Sequence, residues 1–359
     1  MTPRNSTTFE HVTGDIAPPS ETWRAKARLH LDTLTKPIGS LGRLEDLAAQ
    51  IVAIRQERYA DPLSKAVYIF AADHGVVEEG VSAYPREVTR QMVLNFLAEG
   101  AAINVLARQH GVALHVVDVG VDADLNNTTG LLHHKIRRGT RNMLREAAMS
   151  DEEVEQALAV GAQLGTEAAA AGHTMLAIGE MGIGNTTSAS AITCALTGAS
   201  AALATGQGTG IEPEAYAHKV RIVEAAVAKH CSVATASTPL EILRCLGGLE
   251  IAAMTGMMLA AARHNLVIVV DGFISTAAAA LAAAIEPNVL GYLIAGHRSE
   301  EPGHQLLLQH LKLTPVLTLG MRLGEGTGAV LAMPVVESAI GLYNRMATFT
   351  SAGVSEASR

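Results

Sequence analysis

The chain has 359 residues, 48% of them hydrophobic and 17% charged, with a formal net charge of −8, which allows one large domain or two ordinary ones around a sizeable core. Aromatics are only 3%, with one Trp, and no Lys/Arg run appears, so neither a base-stacking platform nor a basic nucleic-acid footprint is expected. Three cysteines, Cys194, Cys231 and Cys245, none in a CxxC pair, argue against a disulfide framework or structural zinc and read as small buried residues in a reducing compartment.

The N-terminus, MTPRNSTTFEHVTGDIAPPSE, has no apolar h-region, so a cytoplasmic protein without a signal peptide is expected. Residues 1–20 read as disordered or loosely attached. Helical periodicity begins near Glu21, and a Pro-Gly turn in TKPIGSLGRLEDLAAQIVAIRQ precedes an amphipathic helix from about Leu44. Short apolar runs then alternate with helical segments. The runs are 66–71 (AVYIFA), 113–119 (ALHVVDV), 174–178 (TMLAI), 266–270 (LVIVV) and 289–295 (VLGYLIA). Helices are predicted over 86–98, 101–108, 150–171, 213–229, 249–264, 274–285 and 304–311, with Ser150 and Glu153 in capping-box register. The Ala-rich run at 274–285 is too short to span a bilayer.

Strands alternating with helices predict an α/β fold with a Rossmann-like, mostly parallel sheet and helices on both faces. Runs without polar alternation fit strands buried on both sides. The segments 21–60 and 329–359 do not follow the alternation. They are expected to pack together as a small helical domain beside a large α/β domain, 61–328, that holds the active site.

Each predicted strand ends in polar or glycine-rich residues, and ligands of open α/β sheets bind outside the carboxyl ends of the strands. Asp73, Glu180, Asp271 and Ser299 are therefore candidates for one crevice. In GEMGIGNTTSASAI, Gly179 to Ile192, a glycine loop carries Glu180 and opens a helix whose first N–H groups suit an anion or ring carbonyl. The spacing is neither GxGxxG nor GxxxxGK[ST], and a tight turn with an N-cap is the plain alternative. The loop GQGTG with Gly206, Gly208 and Thr209 reads as a second phosphate nest, with Lys219 as a possible cation, or as a flexible loop before a helix. Asp271 suits ribose hydroxyls or a helix N-cap, and Ser299 suits phosphate.

Glu325 stands between two glycines in RLGEGTG. A Glu desolvated there has the raised pKa of a general base working near neutrality; the alternative is a first-turn glutamate facing a helix dipole. His74 reads as a hydrogen-bonded turn residue that could reach the site. No HExxH and no GxSxG spacing is present among the chain's motifs.

Taken together, TKPIGSLGRLEDLA, AADHGVVEEGVSAYPREVTRQMV, GAAINVLAR, GEMGIGNTTSASAI, LRCLGGLEIAAMTG, VDGFISTAAAL, GHRSEEPGH and RLGEGTGAVLAMP resemble the nicotinate-nucleotide–dimethylbenzimidazole phosphoribosyltransferase family over about Leu34 to Ile340. The resemblance implies transfer of phosphoribose from nicotinate mononucleotide to 5,6-dimethylbenzimidazole. The products are α-ribazole 5′-phosphate and nicotinate, made by a homodimer with no metal or other cofactor. It places the general base on Glu325 and a second carboxylate on Glu180. The base pocket falls on Met181, Leu323, Tyr84 and Met92. Phosphate and ribose contacts fall on Gly182, Gly206, Gly208, Thr209, Lys219, Asp271, Ser299 and Gly324. Gln207 stands where the family often has an Arg. A transferase for another azole, a purine or a phenol, and a non-catalytic nucleotide-binding protein, are the rival expectations. Partners are small molecules, with no nucleic acid and no membrane.

Overall fold

The computed structural model describes residues 15–56, 63–208, 212–231 and 238–355. The strands are β1 (Lys65–Ala72), β2 (Ala113–Gly120), β3 (Leu131–His133), β4 (Met175–Met181), β5 (Val267–Val270) and β6 (Leu293–Ala295). They form one six-stranded sheet in the order β3-β2-β1-β4-β5-β6, with every neighbouring pair parallel. The central strands are buried along nearly their whole length. The chain winds outward from β1 to β3, then returns to the other side of β1 with β4. The winding therefore reverses between β1 and β4, where a crevice opens at the carboxyl ends.

Helices cover both faces: α1 (Glu21–Thr33), α2 (Arg43–Arg55), α3 (Glu87–Leu97), α4 (Ala102–Gln109), α5 (Asp151–Ala170), α6 (Asn185–Thr197), α7 (Ala201–Ala204), α8 (Pro213–His230), α9 (Pro239–Leu246), α10 (Leu249–Arg263), α11 (Phe273–Ile285), α12 (Pro302–Leu311), α13 (Thr327–Arg345) and α14 (Phe349–Ala352). The capping box at α5 is formed: Glu153 N–H donates to Ser150 Oγ at 3.2 Å, and Ser150 N–H to Glu153 Oε2 at 2.7 Å. Helices α5 and α10 touch backbone to backbone. A Cβ at Gly161 would stand 1.8 Å from the Ala253 carbonyl oxygen, and one at Gly256 2.1 Å from that of Leu158. Hydrogen at those positions lets α10, apolar nearly all round, sink between α5 and the sheet.

Two local expectations change. The run at 289–295 is a strand only over Leu293–Ala295; Pro287 lacks an N–H and has a fixed φ, so Pro287–Tyr292 forms a 3₁₀ turn instead. The edge strand β3 has no counterpart among the predicted runs, because Leu131-Leu132-His133 is too short to show a period.

At the termini, α1, α2 and α13 pack together, and Leu34 bridges Thr348. Helix α13 also lies against β4 and β5, and one hydrophobic cluster runs through both sets of elements. Residues 1–14 lie outside the described residues, but Asp15–Ser20 is held to the body rather than loose. Ile16 is buried, Tyr292 Oη donates to the Ala17 carbonyl at 2.6 Å, and Asn288 Nδ2 donates to that of Ile16 at 2.9 Å. Among the described residues no helix is long and apolar enough to cross a membrane.

Candidate active site

A cleft of about 650 Å³ opens where the winding reverses. Its floor is the end of β4 and the loop into α6. Gly182 is required there, because a Cβ would stand 2.3 Å from the carbonyl oxygen of Ala72 at the end of β1. Gly184 then turns the chain at φ 95 and leaves the first N–H groups of α6 without a side-chain cap, a setting that favours an anion.

Glu180, from β4, is buried in this floor, and Asn185 Nδ2 donates to its Oε2. Burial, and then the neighbouring carboxylates of Asp271, Glu250 and Glu325, push Glu180 up to about 8, with Asn185 opposing. At neutral pH it is mostly a neutral acid, able to donate a hydrogen bond.

Opposite it stands the segment Arg322–Gly326. Gly324, Glu325 and Gly326 all have positive φ, 85, 64 and 86. For a glutamate that is a strained, left-handed backbone. The tightness has a cause: a Cβ at Gly179 would stand 2.6 Å from the backbone of Glu325, and one at Gly324 2.4 Å from Glu180 Oε1. Glu325 lines the cleft and is buried. Its carboxylate accepts from the backbone N–H of Ile103 in the first turn of α4, while its Oε2 has no hydrogen-bond partner among the described residues. Burial pushes it up to about 7, the Ile103 N–H opposes, and Asp271 adds to the rise. An acceptor without a donor, half ionised near neutrality, is suited to remove a proton.

The wall beyond brings together Ser299, His304, Lys219 and Glu301. Ser299 N–H donates to His304 Nδ1 at 2.9 Å, and Ser299 Oγ accepts from the Glu301 N–H at 3.3 Å. Burial pushes His304 down to about 3, so its ring is neutral; with Nδ1 accepting, Nε2–H donates to Thr276 Oγ1 at 3.0 Å. Ser299 thus keeps its hydroxyl proton for the cleft. Lys219 is buried beneath, donating to Thr186 Oγ1 at 3.0 Å and to the Gly206 carbonyl at 3.2 Å. Burial pushes it down to about 8, with Glu301 opposing, so most molecules keep the cation at pH 7.

A family model described as "Phosphoribosyltransferase" matches residues 16–354. The nicotinate-nucleotide–dimethylbenzimidazole phosphoribosyltransferase of Geotalea uraniireducens is 49% identical over 97% of this chain and 98% of its own length. The enzyme of that name from Geobacter sulfurreducens is 49% identical, with 95% and 96% covered. A crystal structure of CobT from Thermus thermophilus superimposes with a TM-score of 0.90 at 46% identity, covering 94% of this chain and all of that one. The chain belongs to the nicotinate-nucleotide–dimethylbenzimidazole phosphoribosyltransferase family.

Of the residues the family resemblance singled out, Glu325, Glu180, Met181, Gly182, Tyr84, Met92, Gly208, Ser299, Leu323 and Gly324 line the one cleft. Tyr84 and Leu323 are 52% and 56% exposed at its mouth, leaving an aromatic face and an aliphatic side chain free for a flat ring. Three others are near it without lining it. Gly206 packs under Glu301, where a Cβ would stand 1.9 Å from Oε2. Lys219 lies beneath the wall. Asp271 is turned away: its Oδ1 accepts from Ala329 N–H at 2.9 Å and its Oδ2 from Gly326 N–H at 3.1 Å. It thus caps the start of α13 rather than its own helix, and both oxygens are already used, which leaves it poorly placed for ribose. Thr209 lies outside the described residues. His74 is buried, with Nε2 2.5 Å from Glu250 Oε1, as a hydrogen-bonded turn residue would be; Asp73 is held by the Asp122 N–H at 2.7 Å. Neither lines the cleft.

Asn185 and Thr186, at the helix start that the glycine loop opens, also line the cleft, as do Glu301 and Arg322, which are absent from the sequence-based candidates. Glu301 had a legible signal: Pro302 at the first helical position marks the residue before it as an N-cap. Arg322, whose Nη1 donates to the Gly208 carbonyl at 2.8 Å, joins the glycine loop to the Glu325 segment, a contact between distant parts of the chain that no spacing announces.

The raised Glu180 also sets a stability prediction. Its folded pKa, about 8, lies above the ordinary value of 4.5, so the folded state binds the proton more tightly. That contribution is complete below about pH 4.5 and is lost as pH rises through 8. Thermal melts of Glu180→Gln and the parent should nearly coincide at about pH 5. At about pH 8.5 the variant should melt several degrees higher, because it no longer buries a charge. Melts displaced equally at both pH values would mean that Glu180 is not the group titrating.

Proposed function

We infer that this chain transfers phosphoribose from nicotinate mononucleotide to 5,6-dimethylbenzimidazole, giving α-ribazole 5′-phosphate and nicotinate. The observation that carries the reading is Glu325: a buried carboxylate pushed up to about 7, in a strained glycine frame, in a chain 49% identical to enzymes of that name along nearly its whole length.

The chemistry asks for little else. The donor's pyridinium ring is already a good leaving group. The work that remains is positioning both reactants and removing the azole proton while the other ring nitrogen attacks the anomeric carbon. Enclosing both in one cleft supplies much of the acceleration. We assign the ring to the Tyr84, Met92, Met181 and Leu323 end. The phosphate falls to the end formed by Ser299, Gly208 and the start of α6, over Lys219. The cytoplasmic location and the homodimer are part of the same proposal.

The direct test is to incubate the protein with nicotinate mononucleotide and a mixture of dimethylbenzimidazole, other azoles, purines and phenols, then identify products by mass. α-Ribazole phosphate with equimolar nicotinate is expected, with dimethylbenzimidazole consumed first. Nucleotide binding without nicotinate release would favour a binding protein, and preferential consumption of another ring would reassign the acceptor.

A further inference from the structure

The anion end of the cleft contains a group that repels anions. Glu301, the N-cap of α12, lines the cleft and is 5% exposed. Its Oε1 accepts from the Gly208 N–H at 3.0 Å, occupying one of the donors that a phosphate would use. Its Oε2 is buried against Gly206 and has no hydrogen-bond partner among the described residues. The groups around it are the Lys219 ammonium, the Thr186 and Ser299 hydroxyls, and, at the rim, the Arg322 guanidinium bound to the Gly208 carbonyl. One buried carboxylate therefore offsets one buried cation in the place where a second anion must sit.

Two adjacent oxyanions repel each other in such a buried site, and a proton between them removes the repulsion. With the proton, the repulsion becomes a charge-assisted O–H···O⁻ hydrogen bond, among the stronger kinds. We propose that Glu301 holds the phosphate of the substrate through a single shared proton, and so selects an anion that can carry one. Phosphate and its monoesters, whose second ionisation lies near pH 6, keep that proton at little cost when a carboxylate waits for it. Sulfate is too weak a base to do so and meets the bare Glu301 charge. The inference rests on the phosphoribosyl reading of the cleft, and it assigns Glu301 a part in choosing the anion.

The test uses inorganic phosphate and sulfate as probes against the full chain at pH 7 and fixed ionic strength. Binding is read by calorimetry and by competition with nicotinate mononucleotide. Phosphate should bind roughly tenfold or more tighter than sulfate, the scale of one hydrogen bond to a charged group. Glu301→Gln, which offers an N–H to either anion, should bring the ratio close to one, mainly by tightening sulfate. Equal affinities in the parent chain would overturn the proposal without any variant being made. So would an unchanged ratio in Glu301→Gln with an unchanged melting curve. Failure to form α-ribazole phosphate at all would instead count against the proposed function, because the anion ratio is measured without turnover.

Discussion

Glu325→Gln should form α-ribazole phosphate roughly 10²–10⁴-fold more slowly than the parent, the range that one positioned general base supplies. The amide keeps the shape and can still accept from the Ile103 N–H, so the fold and the affinity for nicotinate mononucleotide should change little. What disappears is the basic oxygen that the geometry offers to an azole N–H on this side of the cleft: Glu180, the neighbouring carboxylate, is pushed up to about 8 and engaged by Asn185. The pH profile gives an independent reading. Glu325 acts when ionised, and it is pushed up to about 7. The rate of the parent should therefore climb through pH 6 to 8 and then level off. In the variant that limb should vanish, leaving a slow rate nearly independent of pH. Near-normal turnover with an intact melting curve would remove Glu325 from the mechanism and leave the strain at its φ of 64 without a purpose.

Much of the fold was legible because its signals are local. Runs such as LVIVV have one length and one surrounding, and Ser150 with Glu153 needs four residues to close a capping box. The loops with Glu180 and Glu325 were visible for a related reason: packing does not ask for an acid in a glycine loop, and here Gly179 and Gly182 permit close backbone approaches while Gly324 leaves room for the Glu180 carboxylate. The relations between loops were not legible. That Asp271 turns from its own strand end to cap α13, and that Arg322 reaches back to Gly208, depend on how β4, β5 and the C-terminal helix are set side by side. The burial of Lys219 was hidden for the same reason: its place on α8 says nothing of the loop folded over it.

That turn of Asp271 has a consequence for catalysis. Its two oxygens hold the N–H groups of Gly326 and Ala329, and Gly326 follows the glutamate that is kept at a costly φ. A non-glycine residue in that conformation persists only where its surroundings over-determine it. In Asp271→Asn one of the two N–H groups must face an amide N–H₂ instead of an acceptor, whichever way the side chain turns. The segment then loses a tie and Glu325 can relax out of position. A displacement of about 1 Å at a reacting group costs on the order of 10²-fold in rate, so kcat should fall by roughly that factor with KM for nicotinate mononucleotide little changed. The variant also removes a neighbouring negative charge that raises Glu325, so the acid limb of whatever activity remains should move to lower pH. A residue that carried no charge beside Glu325 would not move that limb. If KM for the nucleotide rose while kcat and the limb stayed in place, Asp271 would have to be reassigned to the sugar, and something other than this cap would be holding the base where it stands.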